Sequence, residues 1–156
     1  MKQAHSYGKK ADRALALWVK LARATATLGR LSAGNIRSFG LTEPQFGALE
    51  CLGHCGPLTL GELSRKQLVS GGNTTCVVDN LEERGLVERT RNPRDRRTVV
   101  ARLTPKGKRL FDEIFPRHAL HIARLAGVLT DKEQDDLAIL LKRLGLALAA
   151  SSKDNA

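Results

Sequence analysis

No run in this 156-residue chain is long and apolar enough to span a bilayer. The basic N-terminal stretch MKQAHSYGKKADRALALW lacks a clean signal core and cleavage site, so a cytoplasmic protein with no membrane partner is expected. Cysteine is scarce, and three of them, an odd number, do not make a disulfide framework. Acid is short as well. Sixteen Asp and Glu face 26 Lys and Arg, a formal charge of +10. That surplus attracts polyanions: nucleic acid, an acidic membrane surface or an acidic partner. There is no internal repeat, no nucleophile–base pairing, no phosphate loop and no metal spacing, so nothing starts an enzyme and no cofactor or metal is expected. What is present is a 42% hydrophobic content, enough for a real core, in a length that suits one domain of ordinary size.

Apolar spacing and capping chemistry divide the chain. Over residues 11–33, Leu17, Leu21, Ala24, Leu28 and Leu31 recur every three or four positions, and Leu15, Trp18, Val19 and Ala22 form a second strip. So wide an apolar face predicts a helix buried on two sides or meeting a partner chain. Gly34 and Gly40 are expected to bracket a loop. Thr42 with Gln45, Thr59 with Glu62 and Thr130 with Glu133 have capping-box spacing, and Thr104-Pro105 marks a fourth helix start. These signals predict helices over 43–54, 60–66, 105–127 and 131–149, with Gly56-Pro57 breaking the first pair. Another helix over 71–84 should end at Gly85. LVERT (86–90) and TVVARL (98–103) read as two strands, the second alternating Val99, Ala101 and Leu103 with Thr98, Val100 and Arg102. The expected fold is mainly α with a small β-hairpin wing.

Two short helices joined by a tight turn, the second followed by a hairpin, make a winged helix-turn-helix whose second helix is the candidate DNA reader. On a helical wheel Thr74, Val77, Val78 and Leu81 share one face, which should pack inward. Gly72, Asn73, Cys76, Asp79, Asn80 and Glu83 share the other, with Thr75 on the flank. Ser70, Gly71, Asn73, Thr75, Cys76 and Asn80 are therefore the candidate DNA contacts. Small side chains permit close approach, Asn and Thr bond base edges or phosphates, and free N–H groups at the helix start suit a phosphate. The plainer account is that Ser70 and Asn73 merely cap the helix. In NPRDRRTVV (92–100), Arg94, Arg96 and Arg97 crowd around Asp95. Such a wing loop suits the sugar-phosphate backbone or a minor groove, with Asp95 holding Arg97 by a charge-assisted bond. The plainer account here is a solvated basic loop.

The stretch GPLTLGELSRKQLVSGGNTTCVVDNLEERGLVERTRNPRDRRTVVARLTPKG resembles the MarR family of bacterial and archaeal transcription regulators. The wing pattern, Asp95-x-Arg97 followed by a strand ending in Leu103-Thr104, is its most specific part, and the resemblance covers residues from about 11 to 149. It implies an obligate homodimer in which the first helix and the last two intertwine. It also implies repression at a near-palindromic operator in double-stranded DNA, released by a phenolic or other small aromatic ligand or by cysteine oxidation. Arg97 becomes the wing arginine, and residues 70–80 the reader. A ligand site between dimer helices and winged domain would involve Phe46, Leu49 and Leu52, with Trp18 and Phe111 in reach.

The expected organisation is a dimerisation helix in 1–38, the winged domain in 39–104, further dimerisation helices in 105–150 and a flexible tail in 151–156. Stripes at Phe111, Phe115, His118, Ile122, Leu125 and Leu129, and at Leu137, Leu140, Leu141, Leu144 and Leu148, are expected to make subunit contacts. Pro116 should kink the first of these helices. Cys51, His54 and Cys55 read as small, half-buried core residues rather than a metal site. Cys76 is a candidate redox site, because an adduct on the reader would clash with DNA; a merely tolerated small residue is the alternative. A nonspecific architectural DNA binder and a winged domain used for protein contact are the rival readings.

Overall fold

The computed structural model describes residues 6–67, 71–92 and 95–153, with the backbone alone for 91, 92, 95–98, 152 and 153. The elements are α1 (Lys9–Arg37), α2 (Glu43–Cys55), β1 (Leu58–Thr59), α3 (Leu60–Gln67), α4 (Gly71–Glu83), β2 (Val87–Asn92), β3 (Asp95–Leu103), α5 (Pro105–Ala126) and α6 (Asp131–Lys153). They divide into two compact units, one reaching His118 and one starting at Ala119. The fold is mostly helical with a small antiparallel wing, a winged helix-turn-helix. No helix among the described residues is long and apolar enough to cross a membrane.

The predicted caps form. Thr42 Oγ1 accepts from the Gln45 N–H at 3.4 Å, and Gln45 Oε1 accepts from the Thr42 N–H at 3.0 Å. Thr59 and Glu62 close a second box over α3, and Thr130 and Glu133 a third over α6. Both glutamates also accept a hydroxyl hydrogen from their threonine at 2.8 Å. Bonds from the threonine backbone N–H, then from its hydroxyl, hold each carboxyl below the usual carboxylate range. At the head of α5, Thr104 Oγ1 accepts from the Gly107 N–H at 3.0 Å and donates to the Gly85 carbonyl at 2.7 Å.

The core of the first unit collects Phe46, Leu49 and Leu52 from α2, Leu63 from α3, Val77, Val78 and Leu81 from α4, Leu86, Val87 and Ala101 from the sheet, and Ile114 from α5. Leu49, Leu63, Leu81, Val78 and Val87 are almost wholly buried. Each such side chain gains about 1.5–3 kcal/mol from leaving water. α1 joins this core only through its last turns, where Ala33 and Ile36 are buried.

Three expectations need correction. The first helix does not stop before Gly34. It continues to Arg37, because burying Ile36 extends the register, and the chain reverses instead at Gly40, which has φ +71°. The sheet has three strands in the order β1-β3-β2, not two. Leu58 pairs with Ala101 and Thr59 with Val100, and a two-residue strand carries no periodicity by which to detect it. Finally, the first half of the α5 stripe is not left over for a second subunit. Phe111 and Ile114 are buried, Phe115 packs on the core, and the His118 ring lies 4.6 Å from that of Phe46. α2 presents enough aromatic surface to cover them within one chain.

In the second unit, α6 has no buried residue among those described. Leu137, Ile139, Leu140, Leu141, Leu144, Leu146 and Leu148 are 38–64% exposed. On α1, Leu15, Leu17, Trp18, Val19, Leu28 and Leu31 are 39–65% exposed.

Candidate nucleic-acid interface

Helix α4 divides as its sequence requires. Thr74, Val77, Val78 and Leu81 are buried, while Gly71, Gly72, Asn73, Thr75, Cys76, Asn80 and Glu83 are exposed. The core thus fixes the helix by one face and leaves a polar face of small side chains outward. Asn80 and Thr75 are among the exposed groups already engaged. Asn80 Nδ2 donates to the Cys76 carbonyl at 2.7 Å and lies 3.6 Å from Cys76 Sγ. Thr75 Oγ1 donates to the Gly71 carbonyl at 3.1 Å. Both side chains fold back on their own helix, so contact with a base edge needs a rotamer change at each.

The helix ends where the wing begins. Gly85 has φ +67°, a left-handed conformation that suits glycine, and the Leu86 N–H returns to the Leu81 carbonyl at 2.9 Å. That tight turn feeds β2, which pairs with β3 from Val87–Leu103 to Arg91–Val99. The register then slips, so that Asn92 pairs with Asp95 and Arg96, Arg97 and Thr98 intervene between successive rungs. By backbone, Asp95, Arg96 and Arg97 therefore belong to the irregular distal end of the wing. Ser70 and Arg94 lie outside the described residues.

One group that sequence reasoning did not single out ties reader to wing. Arg89 on β2 donates from Nε and Nη2 to Glu82 Oε2 at 2.9 and 2.6 Å, while its Nη1 lies 2.6 Å from Asp79 Oδ1. Its backbone N–H also donates to Glu82 Oε1 at 3.1 Å. Bonding to Glu82, ahead of the Asp79 contribution, raises the guanidinium pKa above its ordinary value. Such a forked, charge-assisted arrangement fixes direction as well as distance. The available signal was the i, i+3 pair of acids on the flank of α4 with an arginine just past the turn. By contrast, the cross-strand pair Glu88–Arg102 at 2.8 Å is exposed at both ends and adds little.

The five residues expected to border a ligand fall into two sets. Phe46, Leu49, Leu52 and Phe111 are buried, whereas Trp18 is 65% exposed. Sequence reasoning did not anticipate the aromatic cluster around Phe46 and Phe111. Phe46 stacks on Phe39 and Phe115, Phe111 stacks on Phe115, and His54 meets both Phe111 and Phe115 edge-on. His118 reaches from this cluster to Asn35 Oδ1 at 2.8 Å. Of the cysteines, Cys51 is half-buried against the core, and burial is the first cause that pushes its thiol up. Cys55 and Cys76 are exposed.

Comparison with known proteins agrees with this geometry. The MarR family model matches residues 41–99. The chain is 38% identical over 138 residues to YkoM, an uncharacterized HTH-type transcriptional regulator of Bacillus subtilis strain 168, covering 88% of this chain and 90% of that one. Its structure matches that of a mutant MarR from E. coli complexed with operator DNA, with TM-score 0.75, 27% identity, and 85% and 96% of the two chains covered. It matches Bordetella bronchiseptica BpsR, whose DNA binding is regulated by 6-hydroxynicotinic acid, with TM-score 0.74, 27% identity, and 83% and 98% covered. The chain belongs to the MarR family of winged helix-turn-helix transcriptional regulators.

Proposed function

We propose that two copies of this chain form a cytoplasmic homodimer that represses transcription by binding a near-palindromic operator. In this reading Ser70, Gly71, Asn73, Thr75, Cys76 and Asn80 meet the major groove. Arg94, Arg96 and Arg97, shaped by Asp95, meet the backbone or minor groove. The observation that carries it is the two-faced α4, buried by Thr74, Val77, Val78 and Leu81 and offering small polar groups on its exposed side. The operator complex of the MarR neighbour supports the same use of the fold. Domain roles follow: 1–38 and 105–150 supply the dimerisation helices, although the start of α5 packs on its own chain's core, and 39–104 binds DNA; α6 continues to Lys153, so the expected tail from 151 begins as helix.

The test compares operator with random duplex at fixed salt. A regulator prefers its operator by at least about 10³-fold, whereas a nonspecific architectural binder shows no such preference. Arg97→Ala should weaken both DNAs by about 1–3 kcal/mol, because a wing arginine meets mainly phosphate or groove. Asn73→Ala should lower discrimination with little change in salt slope. Equal losses on both DNAs would return Asn73 to capping.

Dimerisation rests on the exposed leucines of α1 and α6, more apolar surface than a monomer of this size keeps in water. Sedimentation at micromolar concentration should give twice the chain mass; a well-folded monomer would refute the dimer.

Release is assigned to a small aromatic effector acting beside the cluster around Phe46 and Phe111, in the region of Leu49, Leu52 and Trp18. The regulation of BpsR by 6-hydroxynicotinic acid supports that choice. Oxidation of the exposed Cys76 is the competing route. Phenolic ligands should release DNA from both the natural protein and Cys76→Ser, whereas an oxidant acting at the thiol should release only the former.

A further inference from the structure

The basic surplus of the chain is not concentrated on the reader and wing. α1 carries Lys9, Lys10, Arg13, Lys20, Arg23, Arg30 and Arg37 against one acid, Asp12. All seven cations are exposed, and among the described residues none of them makes an ion pair. The Asp12 carboxylate is occupied, accepting from Ser6 Oγ at 2.7 Å and from the Tyr7 N–H at 2.9 Å.

The cations also share a side. Along α1 the spacings from Lys9 through Arg13, Lys20, Arg23 and Arg30 to Arg37 are four, seven, three, seven and seven. At 3.6 residues per turn, these six fall within about 120° of one another, in a stripe about 42 Å long. Trp18 lies on the opposite side of the helix, Leu15 borders the stripe, and Val19 and Leu31 fall at its edges. A solvated helix face usually alternates signs or carries i, i+4 pairs, as α5 does with Lys108–Asp112 and α6 with Lys132–Asp136. The α1 stripe does neither: its one acid, Asp12, falls in the same sector but is engaged by Ser6 and Tyr7, so the mutual repulsion is relieved by salt and by any anion that covers the stripe.

We propose that this stripe is a second, sequence-independent docking surface for duplex DNA, separate from the operator-reading surface. Duplex DNA carries one charge per about 1.7 Å of axis, so 42 Å offers about one helical turn of phosphates to a cationic rod of matching length. An anionic membrane suits the stripe less well. A membrane-surface helix keeps its cations opposite one apolar face that enters the lipid; here the exposed apolar residues are spread round the helix, with Val19 and Leu31 at the edges of the cationic sector, so no single apolar face is set against the cations. The protein already handles DNA through its family's winged helix, which makes DNA the polyanion it meets.

The test saturates the natural dimer with a short operator duplex and then adds a labelled random duplex. The ternary complex should form, with strong salt dependence. Lys20→Gln, Arg23→Gln and Arg30→Gln together should abolish capture or flatten its log–log salt slope by about 2–3, since each phosphate contact contributes about 0.9. Affinity for the short operator should stay unchanged, and sedimentation should show an intact dimer. The charge-conserving Arg23→Lys and Arg30→Lys should retain capture. Absence of the ternary complex, capture undiminished in the triple variant, or capture of phosphatidylglycerol vesicles in place of duplex each overturns the proposal. Binding of the short operator is read separately, so failure of operator recognition and failure of this second surface are distinguishable.

Discussion

Gly107→Ala is expected to lower the free energy of unfolding by about 3 kcal/mol, at the upper end of the range for overpacking. A Cβ at Gly107 would drive into the carbonyl oxygen of Leu86, and also reach its carbonyl carbon at 2.8 Å. That peptide is held from both sides. The Leu86 N–H bonds the Leu81 carbonyl at 2.9 Å, and the Leu86 carbonyl accepts from the Thr104 N–H at 3.1 Å. The Gly107 N–H is itself tied to Thr104 Oγ1 at 3.0 Å. Relief therefore requires moving α5 off the turn that joins α4 to the wing, which stretches the Thr104 bonds to the Leu86 and Gly85 carbonyls. Gly61→Ala on α3 is the control. Nothing lies within 4 Å of its Cβ position, so alanine should leave stability unchanged or raise it by up to about 1 kcal/mol. Urea titration of the two variants checks the contrast. A Gly107→Ala midpoint equal to that of the natural protein would mean that the approach of α5 to Leu86 is slack.

Arg89→Ala is expected to reduce operator affinity by about 30-fold, or ~2 kcal/mol, with a smaller loss of stability. In the proposed binding mode α4 and the hairpin meet the duplex together, and Arg89 fixes one against the other by holding Glu82 and Asp79 at 2.6 Å each. Removing it has two consequences. The hairpin loses its side-chain anchor to the helix, and two carboxylates are left unneutralised beside the proposed DNA-binding surface. Arg89→Lys should fall between, because an ammonium keeps the charge but cannot reproduce the fork. A double-mutant cycle with Glu82→Ala reads the coupling directly, with about 1 kcal/mol or more expected for residues in one network. Additive losses would mean that Arg89 acts on DNA alone and not through the helix.

Much of the local structure was legible because it depends on short-range chemistry. Three threonines with an acceptor three residues on gave three capping boxes, each of which closes within one turn. Gly85 marked the end of α4 because a left-handed residue is needed there. The inward face of α4 followed from helical period alone, and its four apolar-side residues are all buried. The wing arginines are visible as a charge cluster in sequence, and the paired strands β2 and β3, the latter carrying Arg96 and Arg97, are present in the backbone.

What escaped depends on distance along the chain. β1 exists because Leu58 and Thr59 meet Ala101 and Val100, some 40 residues away, and two residues have no pattern of their own. The α5 stripe was read as surface for a second subunit, whereas Phe46 and His54 of α2 cover its first half, a match between helices that neither sequence segment announces. Arg89 stands outside the sequence-derived candidates; the Gly85 turn brings β2 back along α4 and sets it against Asp79 and Glu82. By itself the sequence determined the helices, the hairpin, the reader face and the basic excess, because periodicity, capping and charge are properties of neighbouring residues. The tertiary structure decided which apolar faces are satisfied within the chain and which cation anchors reader to wing, because burial and ion pairing depend on the side chains that folding brings together.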